Sequence, residues 1–250
     1  MELVLQNVGK QYKTKKALAD VSLVLTEGIY GLLGPNGAGK STLMNLITDN
    51  VKASAGRILW NGEETAALGA AYRGILGYAP QQQGLYETFS GRRFLSYMAA
   101  LKDIPKKEVK AEVERVLALV NLTDRGNSPI GSYSGGMKQR LLIAQAVMGN
   151  PKLVVLDEPT AGLDPKERIR IREKIKEISG DKIILVSTHV ISDIWSIAKE
   201  IIFLKEGRIA ACDTISALCK KHGGEGNPER IYMEILGEDA LCLDSLVLNC

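Results

Sequence analysis

Two hundred and fifty residues suffice for one large domain or two small ones, and a chain of this length buries about 70–75% of its unfolded surface without disulfide or metal staples. Apolar residues at 45%, charged residues at 24% and a net charge of +3 exclude a disordered, collagen-like or fibrous chain. An aromatic content of 5% with nearly balanced charge argues against a dedicated nucleic-acid surface, which needs a basic face and stacking platforms.

No apolar run approaches the roughly 18–20 residues of a membrane span. The opening Met1-Glu2-Leu3-Val4-Leu5 lacks the basic and apolar regions of a signal peptide. Cys212, Cys219, Cys242 and Cys250 show no CxxC spacing, and with only His189 and His222 a zinc pattern is missing. A reduced, cytosolic compartment is therefore expected.

Taken along the chain, Val21, Leu23 and Leu25 alternate with Ser22 and Val24 as in a strand. Arg57-Ile58-Leu59-Trp60 followed by Asn61-Gly62 reads as a strand entering a tight hairpin turn. Residues 1–28 and 51–65 are thus predicted to be short antiparallel strands. Gly28 to Leu33 is a short apolar strand running into a glycine-rich loop, and Ser41 to Thr48 carries a helix pattern.

Residues 90–125 are predicted helical, since Val109, Val113, Val116, Leu117 and Val120 form one stripe with Pro105 near its start. Leu153 to Leu156 and Ile183 to Val186 are apolar without alternation, as parallel strands buried on both faces are. Ile171, Ile175 and Ile178 between them make a helical stripe with Gly180 expected as its C′ glycine. Strand, helix, strand with such faces makes the core α/β. Gly223 to Pro228 is the one evident linker, and a short helix from Glu229 to Leu236 is expected after it.

Gly34-Pro35-Asn36-Gly37-Ala38-Gly39-Lys40-Ser41 fits GxxxxGK[ST] at every fixed position. Glycines let backbone N–H groups curl around phosphate oxygens, and the following helix adds its positive end. Lys40 then reaches the β- and γ-phosphates, and the Ser41 hydroxyl ligates Mg²⁺. Leu153-Val154-Val155-Leu156-Asp157-Glu158 supplies carboxylates at a strand end, with Asp157 on the metal side and Glu158 available as general base for an attacking water.

Tyr133-Ser134-Gly135-Gly136-Met137-Lys138-Gln139-Arg140 opens a further helix, with Ser134 lying 23 residues before Asp157. With this run the chain resembles the ATP-binding subunits of ABC transporters over about residues 1–212, its Ser-Gly-Gly being similar to that family's signature motif. The resemblance implies a P-loop NTPase with a RecA-like core, an antiparallel β subdomain and a helical subdomain at about 82–150. The ATP-binding domain is set at 1–222, followed by a tail at 223–250. It further implies a head-to-tail dimer in which Ser134, Gly135 and Gly136 of one subunit close over ATP held by Gly34 to Ser41 and Thr42 of the other. Met137 stands where the family commonly has glutamine, and Tyr133 where it has leucine.

By the same resemblance, Gln81 is similar to the glutamine that senses Mg²⁺, although Gln82 and Gln83 leave the register open. Asp164 matches the aspartate of the dimer interface, and an N-cap role before Pro165 is compatible with that. His189, 32 residues after Asp157, matches the histidine that contacts the γ-phosphate, and Tyr12 the aromatic that stacks on adenine, with simple packing as its alternative. The cofactors implied are ATP and Mg²⁺. The partners implied are a second ATP-binding subunit and a transmembrane subunit on a separate chain, which sets the protein on the inner face of the cell membrane. Similarity around Gly77 to Gln81 and Ser134 to Arg140 is greatest to bacterial exporter ATPases for drugs, antibiotics, peptides or ions. A rival class is an ABC ATPase acting on nucleic acid or the ribosome. Only 94 residues separate Lys40 from Ser134, which leaves no room for the long coiled coil of chromosome-maintenance relatives. A binding module without turnover is disfavoured by the presence of Glu158 and His189.

Overall fold

The computed structural model describes residues 1–81, 84–222 and 227–237. The linker glycines at 223–226, Gln82, Gln83, Cys242 and Cys250 lie outside the described residues. Two sheets organise the chain. The first is antiparallel, in the order β2-β1-β4-β5, from β1 (Glu2–Tyr12), β2 (Lys15–Thr26), β4 (Ala55–Trp60) and β5 (Glu63–Glu64). Its β4–β5 hairpin turns at Asn61 and Gly62, both at positive φ, as a two-residue turn matching strand twist requires. Val21, Leu23 and Leu25 face inward while Val24 is exposed, so the alternation marks the core face.

The second sheet runs β10-β9-β3-β8-β7-β6, built from β3 (Gly28–Leu33), β6 (Leu76–Ala79), β7 (Leu153–Asp157), β8 (Ile183–Thr188), β9 (Glu200–Lys205) and β10 (Arg208–Thr214). All pairings are parallel except β9 with β10. Every residue of β7 and β8 is buried, which is why their sequences show no alternation.

Helices fill both faces: α1 (Lys40–Ile47), α2 (Thr65–Leu68), α3 (Ala70–Gly74), α4 (Gly91–Leu101), α5 (Lys106–Leu119), α6 (Gly135–Val147), α7 (Pro165–Ile178), α8 (Ile191–Trp195), α9 (Ile215–His222) and α10 (Pro228–Leu236). The stripe of α5 buries Val113, Val116 and Leu117 against α4 and α6. Helix α6 in turn lies directly on β6. A Cβ at Gly77 would stand 2.0 Å from the Ala146 carbonyl oxygen, so glycine is what allows the approach. The amide of Gln145 donates to the Tyr78 carbonyl at 2.6 Å across the same contact.

Two details differ from the sequence expectations. Gly180 follows α7 without positive φ. Instead of a left-handed glycine cap, the Ser179 hydroxyl takes the Lys176 carbonyl at 2.8 Å. Residues 90–125 form two α-helices and a short 3₁₀ helix at Thr123–Arg125, since the chain turns at Asp103, at φ 54, before Pro105 caps α5. Helix α10 covers α8, β9 and α9, and it buries Ile231, Tyr232 and Leu236.

Candidate active site

Strand β3 ends at Leu33, and α1 begins seven residues later, at Lys40, after a loop whose glycines have separate tasks. A Cβ on Gly34 would lie 2.3 Å from the Leu204 carbonyl oxygen, so its absence lets the loop rest on β9. Gly39 has φ +109, and a Cβ there would meet the Ala17 carbonyl oxygen at 2.8 Å. No side chain caps α1, which leaves its positive end to an anion in the loop. The Lys40 ammonium folds back over the loop and donates to the carbonyls of Gly34 (2.6 Å) and Pro35 (3.3 Å).

The carboxylates follow from strand register. Because β7 and β8 pair Asp157 with Ser187, the fully buried Ser187 hydroxyl donates to Asp157 Oδ1 at 2.6 Å and accepts the Glu158 N–H at 2.9 Å. Burial is the main cause that raises the Asp157 carboxyl above its ordinary pKa. The Glu158 charge adds to this, and Ser187 and Lys40 oppose it. Glu158 leaves the strand at φ 49, in the left-handed region. Its Oε2 lies 2.9 Å from His189 Nδ1. An ionised carboxylate only accepts, so this contact sets the imidazole proton on Nδ1.

These groups meet in one cleft of about 580 Å³. Its walls are Tyr12, Pro35, Asn36, Gly37, Gly39, Lys40, Ser41, Thr42, Gln81, Asp157, Glu158 and His189. Gly34 and Ala38 stand behind the wall, Ala38 being buried with its carbonyl accepting the Gly207 N–H. Tyr12 is 43% exposed at the rim of the cleft, with the Lys10 ammonium 5.0 Å from its ring centroid. Lys15, Lys16, Ala17, Glu206 and Gly207 also line the cleft. Sequence reasoning missed them, because the start of β2 and the β9–β10 turn meet only in the folded chain, where the Ala19 N–H donates to the Gly207 carbonyl at 2.8 Å. Their one signal was Glu206-Gly207, a glycine turn that here has φ +75 and whose amide holds Ala38.

Ser41, Gln81 and Asp157 are hard oxygen donors in that cleft. Among the described residues no cluster of three or more His, Cys, Asp or Glu side chains could hold a metal. The donor set therefore suits an ion that completes its shell with water and phosphate oxygens, as Mg²⁺ does.

Four sequence-predicted residues lie outside the cleft. Ser134, Gly135 and Asp164 are exposed and Gly136 is buried. Ser134 caps α6, its Oγ accepting the Met137 N–H at 3.2 Å. Asp164 caps α7, its Oδ1 accepting the Glu167 N–H at 3.0 Å with Pro165 in the first turn. The two caps are neighbours, for a Cβ on Gly135 would touch Leu163 at 3.7 Å.

Residues 18–161 match the family model described as ABC transporter. The chain belongs to the ABC transporter family. Its fold is that of the family's P-loop ATPase domain. It is 33% identical to the linearmycin resistance ATP-binding protein LnrL of Bacillus subtilis, over 88% of this chain and 71% of that protein. Against ABC transporter A family member 1 of Dictyostelium discoideum it is 36% identical over 86% of its own length, while spanning only 24% of that longer protein. A solved dimeric ATP-binding cassette in a post-hydrolysis state, bound to ADP and Pi, superposes with a TM-score of 0.76 at 27% identity, covering 85% of this chain and 98% of the other. Among the described residues no helix is long and apolar enough to cross a membrane.

Within this ABC transporter domain, the two departures in the signature run are accommodated by packing. Tyr133 is buried, and its hydroxyl donates to the Arg125 carbonyl at 2.8 Å. Gly91, where a Cβ would lie 2.5 Å from that hydroxyl, makes the space. Met137 packs against the core cluster beneath α6.

Proposed function

We propose that this chain is the ATP-hydrolysing subunit of an exporter whose membrane-spanning part is a separate chain, working from the inner face of the membrane. The observation that carries the reading is the pairing of Glu158 with His189 in the same cleft as the phosphate loop. ATP lies with its adenine against Tyr12 and its phosphates within the Gly34 to Thr42 loop, where Lys40 meets the β- and γ-phosphates. Ser41, Gln81 and Asp157 would hold Mg²⁺, which would supply charge neutralisation for phosphoryl transfer. Glu158 gives one oxygen to His189, leaving the other to take a proton from the attacking water. His189 is thereby aimed at the γ-phosphate.

Ser134, Gly135 and Asp164 lie outside this cleft and exposed, which supports their acting on nucleotide held by a second subunit. The dimeric state of the solved cassette bound to ADP and Pi is in keeping with that arrangement. Export as the direction is supported by a relative bearing the name of a linearmycin resistance protein. The test is affinity isolation from detergent-solubilised cells with identification by mass spectrometry. A multispanning membrane protein in stoichiometric yield is expected. Ribosomal or DNA-bound proteins in its place would overturn the reading.

A further inference from the structure

The signature segment rests on a carboxylate that does not line the phosphate-loop cleft. Glu167 is the third residue of α7, with its side chain only 14% exposed. Its Oε1 pairs with Arg170, and its Oε2 lies 3.6 Å from Arg140 Nε. Arg140, on α6 and equally buried, donates through Nη1 to the carbonyls of Val120 and Asn121, both at 3.1 Å, where α5 ends. One guanidinium and one carboxylate thus tie α5, α6 and α7 together. Arg140 Nε and Glu167 Oε2 are both buried without a hydrogen-bond partner, and each has the other as its charge partner.

The same carboxylate explains a glycine. Gly136 does not have positive φ, so no backbone strain calls for glycine there. A Cβ on it would stand 2.6 Å from Glu167 Oε2 and 2.8 Å from its Cγ. The Glu167 side chain therefore lies flat against the first turn of α6, two residues from the Ser134 cap. Its own N–H is held by Asp164. A carboxylate at a helix N-terminus also meets the positive end of the dipole. Deleting it would leave Arg140 as an uncompensated, largely buried charge and free the first turn of α6 to shift.

We propose that Glu167 is a positioning residue that fixes the Ser134–Gly136 segment relative to Asp164, and so sets how these exposed donors meet nucleotide bound by a second copy of the chain. The inference rests on the dimer reading above. It differs from a general stabilising role because Glu167 lines no part of the chain's own cleft. Its loss should weaken the ATP-bound dimer and spare nucleotide binding by the monomer.

The test uses the full chain carrying Glu158→Gln, which keeps ATP intact. Two quantities are measured: affinity for a fluorescent ATP analogue at dilutions where the chain is monomeric, and the ATP-dependent dimer dissociation constant by sedimentation. Adding Glu167→Ala is expected to weaken the dimer about tenfold or more and leave monomer affinity within about twofold. Glu167→Gln keeps the packing on Gly136 and removes only the charge, and it should weaken the dimer by at least about threefold. A parent that dimerises while Glu167→Gln matches it, or a variant that loses monomer affinity as much as dimer affinity, overturns the inference alone. A parent that stays monomeric with ATP overturns the dimer reading and this inference with it.

Discussion

Glu158 sits at φ 49, a conformation that costs a non-glycine residue about 1–3 kcal/mol and persists only where its surroundings enforce it. Here the enforcement is its N–H bound to Ser187 and its carboxylate bound to His189. Glu158→Gln retains the shape and most of this geometry but removes the basicity. Steady-state turnover should fall about 10²–10⁴-fold while ATP affinity stays close to wild type, and turnover unchanged under saturating ATP would remove Glu158 as the base. Ser187 is the second residue whose loss is informative. Ser187→Ala leaves Asp157 Oδ1 and the Glu158 amide buried without their partner, a cost of about 1–3 kcal/mol. Urea unfolding should show that loss as a lower midpoint at constant slope, and an unshifted midpoint would mean that neither group needs the hydroxyl.

Among elements, α7 shows how a local signal and an interface position coincide. Asp164 caps it, Pro165 occupies its first turn and Glu167 supplies the capped N–H. Asp164→Ala should cost about 0.5–2 kcal/mol in chemical denaturation, whereas Asp164→Asn, which still accepts from Glu167, should recover most of it. Equal losses in both would mean that the charge rather than the cap is what stabilises. The elements around the phosphates were legible because their chemistry is contiguous: a buried strand, glycines with lysine and serine, a helix. The same holds for β7, whose apolar run ends in two carboxylates. Ser187 carried no such signal, because a serine at a strand end acquires meaning only through the β7–β8 register that sets it opposite Asp157. The link from Glu167 to Gly136 was hidden for a similar reason, being a contact between two helices whose crossing no single-chain periodicity encodes. Gly180 illustrates the converse, a glycine with the expected position but without the expected backbone angle.

At the scale of the whole molecule, the cleft and the signature segment use opposite strategies. The phosphate loop, Gln81, Asp157, Glu158 and His189 lie at or just beyond the carboxyl ends of parallel strands, with Tyr12 and Lys15 to Ala17 added from the antiparallel sheet, while the signature and Asp164 caps sit exposed on helix starts. What holds these parts in one body is the core shared by the parallel sheet and α4 to α8, and α10 belongs to that core by burial. Ile231 is fully buried there, Tyr232 lies with its ring centroid 6.4 Å from that of Phe203 on β9, and α10 packs on α8, the helix that follows His189. A helix packed on one side of a domain is either part of the cooperative unit or an appendage that melts alone, and a cavity distinguishes the two. Ile231→Ala removes buried methylene and methyl groups at a cost of about 2–5 kcal/mol. Spread over a cooperative domain of this size, each kcal/mol lowers Tm by about 2–4 °C, so a single calorimetric transition should move down by roughly 4–20 °C. If α10 instead unfolds by itself, the main transition keeps its wild-type midpoint and only a small early transition appears. The shared burial of Ile231, Tyr232 and Leu236 with β9 and α8 favours the first outcome, because the nine residues of α10 have too few intrahelical hydrogen bonds to stand without that contact.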